Sequence, residues 1–103
     1  MLTFIETKLF TRLIGGYLSD EEYASLQWAL AADPNAGALI PGSGGVRKIR
    51  WRVSGRGKRG GIRVIYYSRA RQGVIWMLTV YAKNVQENIS PEVLRRIREE
   101  IDG

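Results

Sequence analysis

The chain has 103 residues, of which 45% are hydrophobic and 25% charged, a composition that predicts one folded domain over residues 1–103 and argues against disorder. No apolar run approaches the roughly 20 residues that a membrane span needs. Cysteine and histidine are both absent, which removes thiolate chemistry and the commonest metal ligand. We therefore expect a cytoplasmic protein with no signal peptide, no metal and no other cofactor.

The net charge of +6 conceals a sharper asymmetry along the chain. Between Asp33 and Glu87 there is no acidic residue, whereas the same interval holds eleven lysines and arginines. Soluble surfaces usually intersperse both signs. The exclusion of one sign over half of a domain favours a polyanionic partner, nucleic acid first. A solvated basic face or an acidic protein partner is the alternative.

The first half of the chain predicts a strand followed by two helices. The strand covers 2–6, and a short helix covers 7–14. A longer helix begins after Ser19, which opens a capping box, and ends at Asp33. The apolar stripe of this helix should face the core and comprises Tyr23, Leu26 and Leu30, with Trp28 and Ala31 beside them.

The second half predicts three strands and a closing helix. The strands cover 46–53, 62–68 and 74–82, and their short connections favour an antiparallel meander. The helix covers 91–101, and its apolar stripe comprises Val93, Leu94, Ile97 and Ile101. The order β-α-α-β-β-β-α predicts an α+β fold in which an antiparallel sheet packs against helices.

Strand alternation divides the first of these three strands into an apolar face and a cationic face. Cations on alternate residues stand ~6–7 Å apart, a spacing that is useful when phosphates lie across them. The apolar face comprises Ile49, Trp51 and Val53, with Arg47 at its rim. The cationic face comprises Lys48, Arg50 and Arg52, together with Val46.

Three further features could bind an anion. Arg63 has apolar neighbours within its strand, which would hold its guanidinium stiffly enough to grip two phosphate oxygens, although pairing with a carboxylate is an equal alternative. The turn RGKRGG supplies Lys58 and Arg59 with glycines that let backbone N–H groups approach an anion, unless it is merely a hairpin tip. In the third strand one face comprises Ile75, Met77, Thr79, Tyr81 and Lys83, although a Tyr–x–Lys pair such as its last two members is more often ordinary surface.

Taken in order, these segments resemble the RelE/ParE superfamily of bacterial toxins, most closely its HigB2-like branch. The similarity is carried by SDEEY, GSGGVRKIR, GKRGGIRVIYY and VYAKN, and it covers nearly the whole chain. The resemblance implies the same α+β fold. It also implies cleavage of mRNA in the ribosomal A site without a metal. In that reaction the ribose 2′-hydroxyl attacks the adjacent phosphodiester and leaves a cyclic phosphate and a 5′-hydroxyl.

By match of motif, the resemblance implies that Lys58 is the catalytic lysine and that Arg63 grips the scissile phosphate. Lys83 would be a second cation, with Tyr81 beside it. Arg47 and Lys48 would approach the same surface or contact ribosomal RNA. The last helix lacks the Tyr or His that some relatives place there, so proton transfer would fall to Tyr66, Tyr67 or Tyr81, or to Lys58 with solvent. The residues expected to contact RNA are Arg47, Lys48, Arg50, Arg52, Arg56, Arg59 and Tyr67.

The leading hypothesis is therefore an endoribonuclease toxin that acts on ribosomes and mRNA. The resemblance implies neutralisation by a HigA-like antitoxin with a helix-turn-helix domain, through which the complex would bind operator DNA. A ParE-like inhibitor of DNA gyrase and a non-catalytic module that binds RNA or DNA are the alternatives. The joint presence of Lys58, Arg63 and Lys83 favours the nuclease.

Overall fold

The computed structural model describes residues 2–53, 61–83 and 89–102. Strand β1 (Thr3–Glu6) leads into helix α1 (Lys8–Ile14) and helix α2 (Asp20–Ala32). A two-residue strand, β2 (Ala38–Leu39), precedes β3 (Val46–Trp51), β4 (Ile62–Arg69) and β5 (Val74–Ala82). A single 3₁₀ turn (Ala70–Gln72) joins the last two strands, and helix α3 (Pro91–Asp102) closes the fold.

The five strands form one sheet in the order β1-β5-β4-β3-β2. Strands β2 to β5 pair antiparallel, whereas β1 pairs parallel with β5 at the sheet edge. The predicted α+β fold and the β3-β4-β5 meander are thus confirmed. The parallel pairing of β1 at the sheet edge and the short strand β2 were not predicted.

Helices cover both faces of the sheet. Phe10 of α1 and Leu26 and Leu30 of α2 join one core cluster, together with Val64 and Tyr66 of β4. We call this side the α1/α2 face. On the other side, the α3 face, Leu94 packs with the cluster Val46, Ile65 and Leu78, and Ile97 and Ile101 pack against it. Because β4 sends alternate side chains to the two faces, it is buried from both sides.

The helix ends follow their sequence signals. Ser19 Oγ accepts a hydrogen bond from the Glu22 backbone N–H at 3.1 Å, and Glu22 Oε1 accepts one from the Ser19 N–H at 2.8 Å. The predicted capping box is therefore confirmed. The placement of Trp28 beside the core stripe is wrong, since 77% of its surface is exposed, and Val93 is likewise exposed in α3. No helix within the described ranges is both long and apolar enough to cross a membrane.

Candidate functional site

A row of three polar side chains crosses the three middle strands of the sheet, close to one end of each strand. Arg50 of β3 stands opposite Arg63 of β4, and Arg63 stands opposite Tyr81 of β5. Opposed residues of antiparallel strands have Cα atoms about 4.5–5.5 Å apart. Tyr81 packs against the core cluster of the α3 face, and Arg63 shares that face with Ile65. We call these three residues, Arg50, Arg63 and Tyr81, the central row.

Lys48 lies on β3 two residues before Arg50 and therefore shares the face of the central row. It stands opposite Ile65, which in turn stands opposite Thr79. Its side chain is exposed at the rim of a cavity of about 140 Å³ that adjoins the row. The other residues that line this cavity are Ile40, Ile65, Tyr81, Ile89 and Leu94. The site therefore combines cations with an apolar wall that the beginning of α3 contributes.

Lys83 lies just beyond the end of β5, two residues after Tyr81. Its backbone N–H donates a hydrogen bond to the Gly61 carbonyl at 3.1 Å, and its side chain is exposed. Gly61 has a φ of +73°, and a Cβ there would lie only 2.1 Å from the Trp51 carbonyl oxygen. Only glycine fits this position, because any side chain would strain the backbone and collide with β3. The start of β4 and the end of β5 are thus tied together beside the central row.

Three predicted site residues of the RGKRGG turn, Arg56, Lys58 and Arg59, lie outside the described residues. Arg52 is described, follows β3 and is exposed. The sheet therefore places Lys48, Arg50, Arg63 and Tyr81 on the α3 face, with Lys83 just beyond the end of β5, and the predicted role of the turn stays a prediction.

Arg47 does not belong to this surface. It stands opposite Tyr66, whose side chain belongs to the core cluster of the α1/α2 face. The Arg47 Nη1 donates hydrogen bonds to the carbonyls of Gly37 at 2.6 Å and Asn35 at 3.2 Å. The expectation that Arg47 and Lys48 approach one surface is wrong, because neighbouring strand residues point to opposite faces. Arg47 instead secures the segment between α2 and β2.

The hydroxyl group of Tyr66 is committed to the fold. It accepts a hydrogen bond from the Gly37 backbone N–H at 2.9 Å and donates one to the Pro34 carbonyl at 2.8 Å. Burial raises the pKa of this phenol, against the opposing influence of the Gly37 hydrogen bond and of the Arg47 charge. A buried hydroxyl with both partners satisfied is a structural group.

Tyr67 is also engaged, on the α3 face. Its hydroxyl donates to Asp102 Oδ2 at 3.0 Å, and Asp102 also binds Arg69 and Arg98. Burial, followed by the hydrogen bond to the carboxylate, raises the pKa of Tyr67. This cluster fastens the end of α3 to β4 and was not predicted, because its members are up to 35 residues apart in sequence. Of the three tyrosines considered for proton transfer, Tyr81 is the one in the central row.

Strand β5 carries an irregularity that alters the predicted face. Ile65 stands opposite Thr79, but the next residue of β4, Tyr66, stands opposite Met77. Leu78 is therefore an extra residue, a β-bulge. Ile75 and Met77 consequently belong to the α1/α2 core, whereas Tyr81 packs on the α3 face. The prediction that all these residues share one face is wrong, since the bulge reverses the alternation between Met77 and Tyr81.

The site's charge is carried by lysines and arginines. The ranges 2–53, 61–83 and 89–102 contain no group of three or more His, Cys, Asp or Glu side chains that could hold a metal ion. What the described arrangement offers an anion is direct charge and hydrogen bonds from planar guanidinium groups.

A small α+β domain with a cationic, tyrosine-bearing sheet surface is compatible with a protein that acts on nucleic acid. The family model described as the RelE toxin of the RelE/RelB toxin–antitoxin system matches residues 7–101. The chain therefore belongs to the RelE toxin family. It is a toxin of a toxin–antitoxin system, and membership implies an antitoxin as its partner. Toxins of this family are generally endoribonucleases.

Proposed function

We propose that this protein is a ribosome-dependent endoribonuclease of the HigB2-like branch that cleaves mRNA in the ribosomal A site. The observation that carries the proposal is the central row: two arginines and a tyrosine side by side on three hydrogen-bonded strands. A phosphodiester needs charge directed at its non-bridging oxygens and a proton donor near its leaving oxygen. The row supplies groups of both kinds within one rigid element.

Arg63 is the best-fixed cation of the row, because β4 has a strand on each side and core clusters on both faces. A guanidinium held in this way can donate two parallel hydrogen bonds to phosphate. Arg50 stands beside it on β3, and like charges directly opposite one another repel. A bound phosphate relieves that repulsion, so the arrangement favours an anion between the two strands.

The proposed reaction needs no metal ion. A base removes the proton of the ribose 2′-hydroxyl, and the 2′-oxygen forms a bond to phosphorus. The bond from phosphorus to the 5′-oxygen breaks, which leaves a 2′,3′-cyclic phosphate, and the departing 5′-oxygen takes a proton. We assign the base to Lys58, phosphate binding to Arg63 with Lys83 as a second cation, and proton donation to Tyr81.

The surrounding cations support contact with longer stretches of RNA. Lys48, Arg50 and Arg52 are exposed, as expected for groups that meet ribosomal or messenger RNA phosphates. Arg56 and Arg59 would add to this surface. In this proposal a HigA-like antitoxin with a helix-turn-helix domain neutralises the toxin in the cytoplasm, and operator DNA is bound through that complex.

The test is cleavage in a reconstituted translation system, with 5′ ends of a reporter mRNA mapped by primer extension. Arg63→Ala should lower the cleavage rate by about 10²–10³-fold, the usual cost of losing one group that stabilises transition-state charge. The matched control is Arg71→Ala. Arg71 is exposed and follows the far end of β4, about 20 Å from Arg63, so its loss should change the rate less than about twofold.

Each alternative function predicts a different result. Cuts phased within codons and seen only with ribosomes support the proposal. Full cleavage by Arg63→Ala would contradict the assigned role of the central row. Intact mRNA together with inhibited supercoiling would identify a gyrase inhibitor. Intact mRNA with steeply salt-dependent RNA binding would identify a binding module.

A further inference from the structure

The bulge in β5 lies where β1 ends. Parallel pairing between the two strands stops at Glu6 and Met77, immediately before the extra residue Leu78. The next residue of the chain, Thr7, leaves the sheet to begin α1. Its backbone N–H still donates to the Met77 carbonyl at 3.0 Å, and its hydroxyl donates to the Leu78 carbonyl at 2.7 Å. Thr7 therefore holds β5 at the bulge with one backbone and one side-chain hydrogen bond.

The same hydroxyl has a second partner. The Phe10 backbone N–H donates to Thr7 Oγ1 at 3.0 Å, which makes Thr7 the N-cap of α1. The two bonds use different capacities of one hydroxyl group: the oxygen accepts from the helix, and the proton goes to the bulge. An N-cap needs only to accept a hydrogen bond from the helix, so capping does not explain the bond that the Thr7 hydroxyl donates to the Leu78 carbonyl. The donated bond fixes the carbonyl of a residue that is itself buried.

The position of the bulge decides which way Tyr81 points. With the extra residue, Val80 joins the core of the α1/α2 face, and Tyr81 stands opposite Arg63 on the α3 face. With strict alternation from Met77, these two side chains would exchange faces. The phenol would then leave the central row, and a valine would take its place.

We propose that Thr7 is a positioning residue for Tyr81: by holding the Leu78 carbonyl, it fixes the bulge that places the phenol beside Arg63. Thr7 thereby sets the orientation of Tyr81 already in the protein without RNA. The consequence for catalysis rests on the function proposed above, in which Tyr81 donates a proton to the leaving oxygen.

Substitutions can separate the bulge bond from the helix cap. Thr7→Asp keeps an acceptor for the Phe10 N–H but has no proton for the Leu78 carbonyl. Thr7→Val keeps the shape and loses both bonds, whereas Thr7→Ser keeps both. Ser19→Ala is the matched control, because it removes the N-cap of α2, which has no hydrogen bond to β5 among those described.

The first readout is nuclear magnetic resonance of the free protein with labelled tyrosines, with Tyr81 assigned by comparison with Tyr81→Phe. We expect contacts between the Tyr81 ring and the Arg63 side chain in the wild type, in Thr7→Ser and in Ser19→Ala. Thr7→Val and Thr7→Asp should lose those contacts and shift the Tyr81 signal. Unchanged Tyr81 signals in both of these variants would overturn the inference, whatever happens to RNA.

The second readout is cleavage measured well below the melting temperature of every variant. Losing a general acid costs about 10²–10⁴-fold, so Thr7→Val and Thr7→Asp, which take the phenol out of the central row, should lower kcat by at least about 100-fold. When Thr7→Val or Thr7→Asp is combined with Tyr81→Phe, kcat should fall little below that of Tyr81→Phe alone. Both changes act through the Tyr81 hydroxyl group, so their effects should not add. Full additivity would overturn the role of Thr7 in catalysis. A wild type that cuts no RNA would refute the proposed function, while the resonance result still decides the orientation.

Discussion

Replacing Tyr66 with phenylalanine should destabilise the protein more than a single hydroxyl group suggests. The Tyr66 side chain is 0% exposed. Its hydroxyl is the partner of the Gly37 N–H at 2.9 Å and of the Pro34 carbonyl at 2.8 Å. The variant keeps the ring and its packing and removes both bonds. It thus measures what the phenol contributes to holding the segment between α2 and β2 against the sheet.

The magnitude follows from the burial of the two orphaned groups. Gly37 is buried, so an unsatisfied N–H there costs about 1–3 kcal/mol. Pro34 is half-buried, and water can replace part of its lost bond, which adds a cost of about 0.5 kcal/mol. We therefore expect the free energy of unfolding to fall by about 1.5–3.5 kcal/mol. For a chain of this size, that corresponds to a fall in Tm of about 6 °C or more.

Urea unfolding followed by tryptophan fluorescence measures this directly. The control is Tyr67→Phe, which loses one bond to the partly exposed Asp102 and should cost below about 1 kcal/mol. A loss under about 0.5 kcal/mol for Tyr66→Phe, with unchanged denaturant slope, would refute the reasoning. It would mean that the 34–37 segment finds other partners at no cost.

The pH dependence offers an independent check on the same side chain. The pKa of Tyr66 is raised above its ordinary value of 10, mainly by burial. The folded state therefore binds the phenolic proton more tightly than the unfolded chain does. The resulting stability is fully present below pH 10 and is lost as the pH rises through the folded-state pKa. Tyr66→Phe should flatten this alkaline decline, and an identical decline in both proteins would contradict the assignment.

Two further changes test the 34–37 segment by another route and the cluster around Asp102. Gly37→Ala should cost about 1–3 kcal/mol in urea unfolding, because the new Cβ would lie 2.9 Å from the Tyr66 ring and 3.0 Å from the Lys48 carbonyl oxygen. A neutral result would show that this segment moves freely. The pKa of Asp102 is lowered: burial alone would raise it, but hydrogen bonds from Arg98, Tyr67 and Arg69 outweigh burial. The ionised Asp102 therefore contributes about 1 kcal/mol or less to the free energy of unfolding. This contribution is present above pH ~4 and is lost as the pH falls further. Asp102→Asn should remove this fall in the free energy of unfolding at acidic pH. An unchanged pH dependence of urea unfolding below pH ~4 would contradict the assignment.

The features that sequence predicted well are those set by neighbours along the chain. The capping box needs only Ser19 and Glu22, three residues apart, and it forms. Alternation placed Lys48 and Arg50 on one face of β3 and Ile49 and Trp51 on the other, and the strand has no bulge to disturb it. Local spacing is sufficient wherever the backbone stays regular.

The failures arise where a distant partner decides the outcome. The bulge in β5 contains no glycine or proline, so nothing near Leu78 announces it, and its hydrogen-bond donor is 71 residues away. The parallel pairing of β1 with β5 ends at the same junction, and it likewise joins segments distant in sequence. Trp28 has helical spacing suited to the core, yet α2 buries Leu26 and Leu30 and leaves the indole exposed. Helical periodicity identifies the apolar face of α2, but it does not show how many of the flanking residues are buried with it.

The number of lysines and arginines between Asp33 and Glu87 also overstates how many cations are available to bind nucleic acid. Two arginines of the acid-free interval serve the fold: Arg47 binds backbone carbonyls on the α1/α2 face, and Arg69 binds Asp102. Arg69 is the last residue of β4, whereas Arg63 lies near the start of that strand and is followed by Val64 and Ile65, which are buried on opposite faces. A cation needs such support to hold one phosphate oxygen pair in place, whereas any surface cation raises the general affinity for RNA. The precision required for cleavage therefore comes from the sheet and its hydrogen bonds, and the surplus of positive charge brings the RNA to it.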